Sequence, residues 1–189
     1  PIPPCADAAW KMLMVVASGD TLRNGVYALR WYTLAVVLIL LDQYTKALAS
    51  GALEYARPQA VFSWFNLTLQ HNSGAAFSFL SDAGGWQRYF FSGIAVVIST
   101  VLIVWLYRMP RGQWLLALSL ALILGGALGN LWDRLTLGYV VDFISVHYGP
   151  YYFPAFNLAD SAITVGAACM LLDSFIQRPG QGAVESKEN

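Results

Sequence analysis

Apolar residues in this chain gather into four long blocks, each crossed by few charges. A helix that spans a bilayer needs about 20 mostly apolar residues. The pattern predicts spans over about 29–48, 88–107, 113–132 and 154–177. Trp31, Tyr32, Tyr89, Trp105, Tyr107, Trp114 and Trp132 fall near span ends, where an interfacial aromatic belt is expected. Gly125 and Gly129 form a GxxxG pair, which either permits close helix packing or arises by chance in a glycine-rich segment. Two regions outside the spans read as extended. In 61–70, Phe65, Leu67 and Leu69 alternate with Asn66, Thr68 and Gln70, giving a strand with one apolar face. Residues 139–148 are rich in Val, Ile, Phe and Tyr, which favours strand. The expected architecture is an all-α transmembrane four-helix bundle with a small extended platform on one membrane surface.

Composition supports this reading. The chain of 189 residues is 57% hydrophobic and 12% charged, about half the charged fraction of a soluble domain. Zero net charge argues against a general nucleic-acid binder. Cys5 and Cys169 are far apart and in no metal or redox spacing, so no disulfide framework is expected. Seven basic residues (Lys11, Arg23, Arg30, Arg108, Arg111, Arg178, Lys187) fall on the side of the termini and four (Lys46, Arg57, Arg88, Arg134) on the other, which predicts both termini in the cytoplasm. Residues 1–28 hold an apolar run too short to span and no clear cleavage pattern, and read as an extension, a cloning remnant or a mis-set start. The membrane domain is expected over 29–178, with a polar tail over 179–189.

Acids inside apolar helices are costly and point to function. Asp42, Asp133, Asp142 and Asp160 all fall towards the outer surface, whereas Asp173, near the inner end of span four, reads as an interfacial charge. Asn157, Asp160, Ser161 and Thr164 line one helical stripe, which must face protein or water. Asn157 and Asp160 also fit an N-cap with its third helical residue, a structural reading compatible with a functional one. Asn130, Asp133 and Arg134 share a face at the end of span three and read first as structural glue, with Asp133 and Arg134 each paired elsewhere. Asp42 and Lys46 are spaced as a local i,i+4 ion pair. Asp142 lies eighteen residues before Asp160, enough chain to fold back and set two carboxylates together. Such a pair shares a proton, so one member can activate water while the other protonates the substrate.

Other chemistries are poorly supplied. His71 and His147 stand in no zinc motif, and there is no serine-nucleophile elbow, phosphate loop or dinucleotide fingerprint. Two other classes keep a place: a small carboxylate-containing transporter and a non-catalytic assembly factor whose acids only hold helices together.

Four blocks, LDQYTK (41–46), NSGAAFSFL (72–80), GGALGNLWDRLTLGYVVDFI (125–144) and FPAFNLADSAITVG (153–166), resemble lipoprotein signal peptidase, or signal peptidase II, in sequence, order and spacing. The likeness covers about 29–178. It implies an aspartic endopeptidase of the bacterial inner membrane, multi-pass, with its active site near the periplasmic face and its extended element on that side. It makes Asp142 and Asp160 catalytic and places Asp42, Lys46, Asn72, Gly74, Asn130, Asp133, Arg134 and Asn157 around them. The implied substrates are diacylglyceryl-modified prolipoproteins cut just before the lipidated cysteine. No metal or cofactor is implied. Membrane lipid and globomycin-type cyclic peptide inhibitors are the implied partners, and the chain is expected to act as a monomer without nucleic acid.

Overall fold

The computed structural model describes residues 4–74 and 86–176, with side chains from Val26 onward. Four helices and a small sheet follow in the order α1 (Pro4–Ala52), β1 (Gln59–Phe62), β2 (Phe65–Asn72), α2 (Gln87–Arg108), α3 (Trp114–Thr136), β3 (Val140–Tyr148), β4 (Tyr151–Tyr152) and α4 (Leu158–Ile176). Each helix contains a stretch long and apolar enough to cross a membrane: Val26–Ala52, Gln87–Arg108, Trp114–Thr136 and Leu158–Ile176. All four predicted spans are therefore present, with ends moved by a few residues.

The first helix departs from expectation. It runs unbroken from Pro4, so the residues set apart in the sequence continue directly into span one. At about 1.5 Å per residue, its 49 residues exceed twice the ~30 Å hydrocarbon thickness, and Val26–Ala52 is the part matched to a bilayer. The polar tail over 179–189 and the last six residues of the NSGAAFSFL block, 75–80, lie outside the described residues.

α3 is the central helix. More than half of its span is buried within the protein, against about a fifth for the others. Its small residues explain why. A β-carbon at Gly125 would lie 3.0 Å from the Ala35 carbonyl oxygen of α1, and one at Gly126 only 2.4 Å from the Ala159 carbonyl oxygen of α4. The GxxxG pair thus works with Gly126 as a close-packing surface towards two helices. Away from the sheet, Ala35, Leu102, Leu106, Met109, Ala117, Leu120 and Leu124 form the apolar core. Trp31 and Tyr32 pack against this core instead of joining an exposed belt, and the Tyr32 hydroxyl donates to the Ile103 carbonyl of α2 at 2.8 Å. Tyr89, Trp105, Tyr107, Trp114 and Trp132 remain exposed, as a lipid-facing belt requires. Asp173, expected as an interfacial charge, is only 8% exposed.

The four strands form one antiparallel sheet in sequence order. β2 reverses the expected facing. Asn66 and Thr68, expected on the polar face, are buried, whereas Phe65 and Leu67 are only half-buried. A register shift between Leu67 and Gln70 breaks the two-residue period, so Leu69 is buried beside Thr68. Phe65 joins Phe62 and Trp64 in an aromatic cluster with ring centroids 5.8–6.3 Å apart. Beside a bilayer, the apolar side of a sheet need not be its protein-facing side.

Candidate active site

The site forms where the sheet meets the ends of α1, α3 and α4. Each element presents polar groups for a local reason. Asn157 caps α4: its side-chain oxygen accepts the Asp160 backbone N–H at 2.9 Å, and Asp160 Oδ2 accepts the Asn157 N–H at 3.2 Å. This is the reciprocal capping box foreseen in the sequence. It fixes the Asp160 side chain at the start of the helix. Asp142 sits on β3 opposite Gln70 of β2, and Asn72 lies opposite Val140.

The two acids are joined through one residue, Asn157. Asn157 Nδ2 donates to Asp142 Oδ1 at 2.7 Å, while its backbone N–H donates to Asp160. Asn72 Nδ2 donates to the other Asp142 oxygen at 3.0 Å, and Asn130 Nδ2 donates to Asp160 Oδ1 at 2.7 Å. Each carboxylate is therefore held at both oxygens by N–H donors. The Asn72 side-chain oxygen in turn accepts the Gly74 N–H at 2.9 Å. Gly74 has φ +112°, and a β-carbon there would strike the Phe91 ring at 2.6 Å, so the turn requires glycine. Asp142 is 2% exposed. Burial pushes its carboxyl up to about 6, the nearby Asp160 charge adds to this, and the bonds from Asn72 and Asn157 oppose it.

Behind this pair lies a second polar layer. Lys46 Nζ is 2.7 Å from Asp42 Oδ2, 2.9 Å from Asp133 Oδ2 and 3.0 Å from Asn130 Oδ1. The expected local ion pair is present, and Lys46 also reaches across to α3. Gln43 Nε2 donates to Asp133 Oδ1 at 2.8 Å. Arg134 turns away from Asp133: its guanidinium donates to the Asn130 carbonyl at 3.3 Å and lies over the Phe91 ring at 5.7 Å. All ten residues singled out in the sequence are thus gathered in one connected region. Gln43 and Phe91 belong to it as well. Gln43 had a visible signal, being a second polar residue of the LDQ block beside Asp42; Phe91 sits in an apolar span and had none. His71 stacks on Tyr139 at 4.1 Å and His147 on Tyr152 at 4.7 Å. Among the described residues, no three His, Cys, Asp or Glu converge to hold a metal ion.

The chain is similar in sequence and fold to known proteins. A family model described as signal peptidase (SPase) II matches residues 34–176. The chain is 59% identical over 152 residues to a lipoprotein signal peptidase of Acinetobacter baumannii, covering 79% of this chain and 86% of that one. It is 56% identical over 151 residues to one from Teredinibacter turnerae, covering 80% and 90%. Among solved structures, a bacterial membrane enzyme determined by the in meso method superposes with a TM-score of 0.69 at 29% identity, over 79% of this chain and 94% of that one. The matched segment begins inside span one and ends with α4, so it takes in every residue of the two-acid site, and the chain belongs to the signal peptidase II family.

Proposed function

We propose that Asp142 and Asp160 are the catalytic pair with which this membrane peptidase cleaves the signal peptide from prolipoproteins. The observation that carries this reading is the joining of two carboxylates, from separate elements, through Asn157 in a site where Asp142 is 2% exposed. Two carboxyls so placed share one proton. The ionised member takes a proton from water as the water oxygen attacks the scissile carbonyl carbon. The protonated member gives its proton to the carbonyl oxygen, leaving a tetrahedral diol. The member that took the water's proton then passes it to the leaving amine as the C–N bond breaks, while the other member takes a proton back from the diol. Asn72, Asn130 and Asn157 fix the orientation of the carboxylates. Gly74 permits the turn that aims Asn72. Asp42, Lys46, Asp133 and Arg134 support the pair from α1 and α3.

The substrate class proposed is the diacylglyceryl-modified prolipoprotein, cut just before its lipidated cysteine. An apolar groove of about 250 Å³, lined by Thr45, Leu48, Ala49, Ala52, Leu53, Leu67 and Phe143, supports this. Phe143 follows Asp142 on β3, so the groove opens one residue from the proposed catalytic acid and offers an apolar lining to an acyl chain. The chain is a multi-pass bacterial membrane protein. We place both termini in the cytoplasm and the site at the periplasmic face, from the basic-residue asymmetry. The enzyme acts as a monomer, and globomycin-type cyclic peptides occupy the same site. The comparisons give no support to the transporter or assembly-factor readings.

The test is cleavage of a diacylglyceryl-modified prolipoprotein by the purified protein in detergent with EDTA present. The expected result is a cut immediately before the lipidated cysteine by the parent, and none by folded Asp142→Asn or Asp160→Asn. Near-parental cleavage by either variant would overturn the assignment. A cysteine-labelling map that put position 142 on the cytoplasmic side would overturn the topology.

A further inference from the structure

The ionic group at Lys46 is wired to the backbone next to each acid of the pair. Asp42 spends one oxygen on Lys46 and accepts the Ala159 N–H with the other at 3.0 Å. Asp133 Oδ2 binds Lys46 and also accepts the Val141 N–H at 3.1 Å. Ala159 immediately precedes Asp160, and Val141 immediately precedes Asp142. One ammonium therefore ties together two carboxylates, and each of them grips the amide one residue before one member of the pair. The third contact of Lys46, to Asn130 Oδ1, turns the Asn130 amide so that its Nδ2 faces Asp160. Asp42, Lys46 and Asp133 are at most 3% exposed.

We propose that Lys46, Asp42 and Asp133 form a backbone clamp that sets the separation and orientation of Asp142 and Asp160, and act as positioning residues for the cleavage. This rests on the catalytic-pair reading above. Two observations separate a clamp from ordinary helix glue. First, a local ion pair on α1 explains the Asp42–Lys46 contact but not the reach of Asp42 to a backbone amide of α4. Second, a buried ionic group is a costly way to join helices, because well-packed apolar residues do as well or better. The grip falls on the amide one residue before the acid in both β3 and α4, where a backbone displacement carries an acid with it. A misplacement of about 1 Å at a reacting group lowers rate by about a hundredfold.

The experiment uses the whole chain in detergent and compares the parent, Asp42→Asn, Asp133→Asn and the net-charge-preserving double variant Lys46→Met/Asp42→Leu, in which position 42 has no acceptor left for the Ala159 N–H. The double variant leaves Asp133 on Val141 and releases the Ala159 side. Asp142→Asn serves as the control for the catalytic-pair reading. Measured for each are kcat, KM, the pH profile of kcat and the thermal midpoint. The charged groups facing the pair are Lys46 and Asp42 of α1, Asp133 and Arg134 of α3, and the two acids themselves, while β2 contributes uncharged Asn72. The expected result is a kcat lowered about tenfold to a hundredfold, KM within about twofold, and limbs of the pH profile displaced from the parent's, because the spacing of the pair sets its coupled titration. Parental kcat and pH profile in folded variants, with only the midpoint lowered, would overturn the clamp. So would failure of both single variants and the double variant to fold under conditions where Asp142→Asn folds, since that marks a stability element. If Asp142→Asn itself stays active, the catalytic-pair reading falls, and the clamp falls with it.

Discussion

The two ends of α3 are held by opposite means. Near Trp114 the helix packs Ala117, Leu120 and Leu124 against Ala35, Leu102 and Leu106, with shape as the only specification. Near Thr136 it presents Asn130 and Asp133, and almost every contact is a hydrogen bond or ion pair to a particular atom. An apolar contact in lipid loses little when a methyl group moves, because lipid and protein attract it about equally. A buried polar contact is all or nothing, because no water waits to replace the missing partner. The far end can therefore vary while the site end cannot, and mutations should sort by end before they sort by size.

The largest effect tests the site end directly. On the proposed reading, Asp142→Asn and Asp160→Asn each remove a proton-transfer group while keeping shape, and kcat should fall by about 10²–10⁴ in variants that still fold. A loss of folding instead would show that these acids, like the apolar core, chiefly hold helices together. The same residue gives a pH signature. The Asp142 carboxyl is raised to about 6 from 3.8, first by burial. The unfolded chain then binds fewer protons than the folded one between those values. The stability that this group contributes is fully present below about pH 3.8 and is lost as pH rises through about 6. The shift corresponds to about 3 kcal/mol. Measured against pH from 3.5 to 7, Asp142→Asn should gain on the parent by up to that amount. A pH-independent difference between the two would show that Asp142 does not titrate in this window.

The same contrast explains what could be read from the sequence. The four spans were legible because a run of about 20 apolar residues has few alternative uses. The capping box at Asn157 and Asp160 was legible because its partners are three residues apart. The Asp42–Lys46 pair was visible for the same reason, but its extension to Asp133, Ala159 and Val141 was not. The bonds to Asp133 and Ala159 join α1 to residues about 90 and 117 positions away, and those to Ala159 and Val141 end on backbone amides, which carry no sequence signal. The facing of β2 misled because the register shift after Leu67 breaks the alternation, and because Phe62, Trp64 and Phe65 form an aromatic surface of their own. The continuation of α1 back to Pro4 was missed because the break was placed where apolar character faded, and a helix needs no apolar face to continue.

A pair of glycines sharpens the comparison at the next level of effect. A β-carbon at Gly126 would lie 2.4 Å from the Ala159 carbonyl, beside Asp160, whereas one at Gly166 would meet Ile123 at 2.8 Å and the Ser119 carbonyl at 2.9 Å, towards the far end. Gly126→Ala and Gly166→Ala should both destabilise by about 1–3 kcal/mol, through forced separation of α3 and α4. Only Gly126→Ala should also lower the kcat of the folded fraction, since it pushes on the residue before Asp160. Equal losses of kcat would mean that strain spreads along the whole interface and that the two ends are not independent.

The smallest effect asks whether any single hydrogen bond matters at the far end. Tyr32 donates to the Ile103 carbonyl across the α1–α2 contact at 2.8 Å. Interhelical bonds of this kind in lipid contribute about 0.6 kcal/mol, because a carbonyl within a helix keeps its own backbone donor. Tyr32→Phe should therefore shift the thermal midpoint by about a degree or two and leave cleavage unchanged. At the site end, Asn130 also bridges helices by single bonds, but its oxygen holds Lys46 while its nitrogen holds Asp160. Asn130→Leu has nearly the same volume, yet it leaves a buried ammonium and a half-buried carboxylate each short of a partner. A substitution that costs activity at position 130 and almost nothing at position 32 would establish that the ends differ in kind. A comparable loss at position 32 would mean that the packing of α1 on α2 feeds directly into the site.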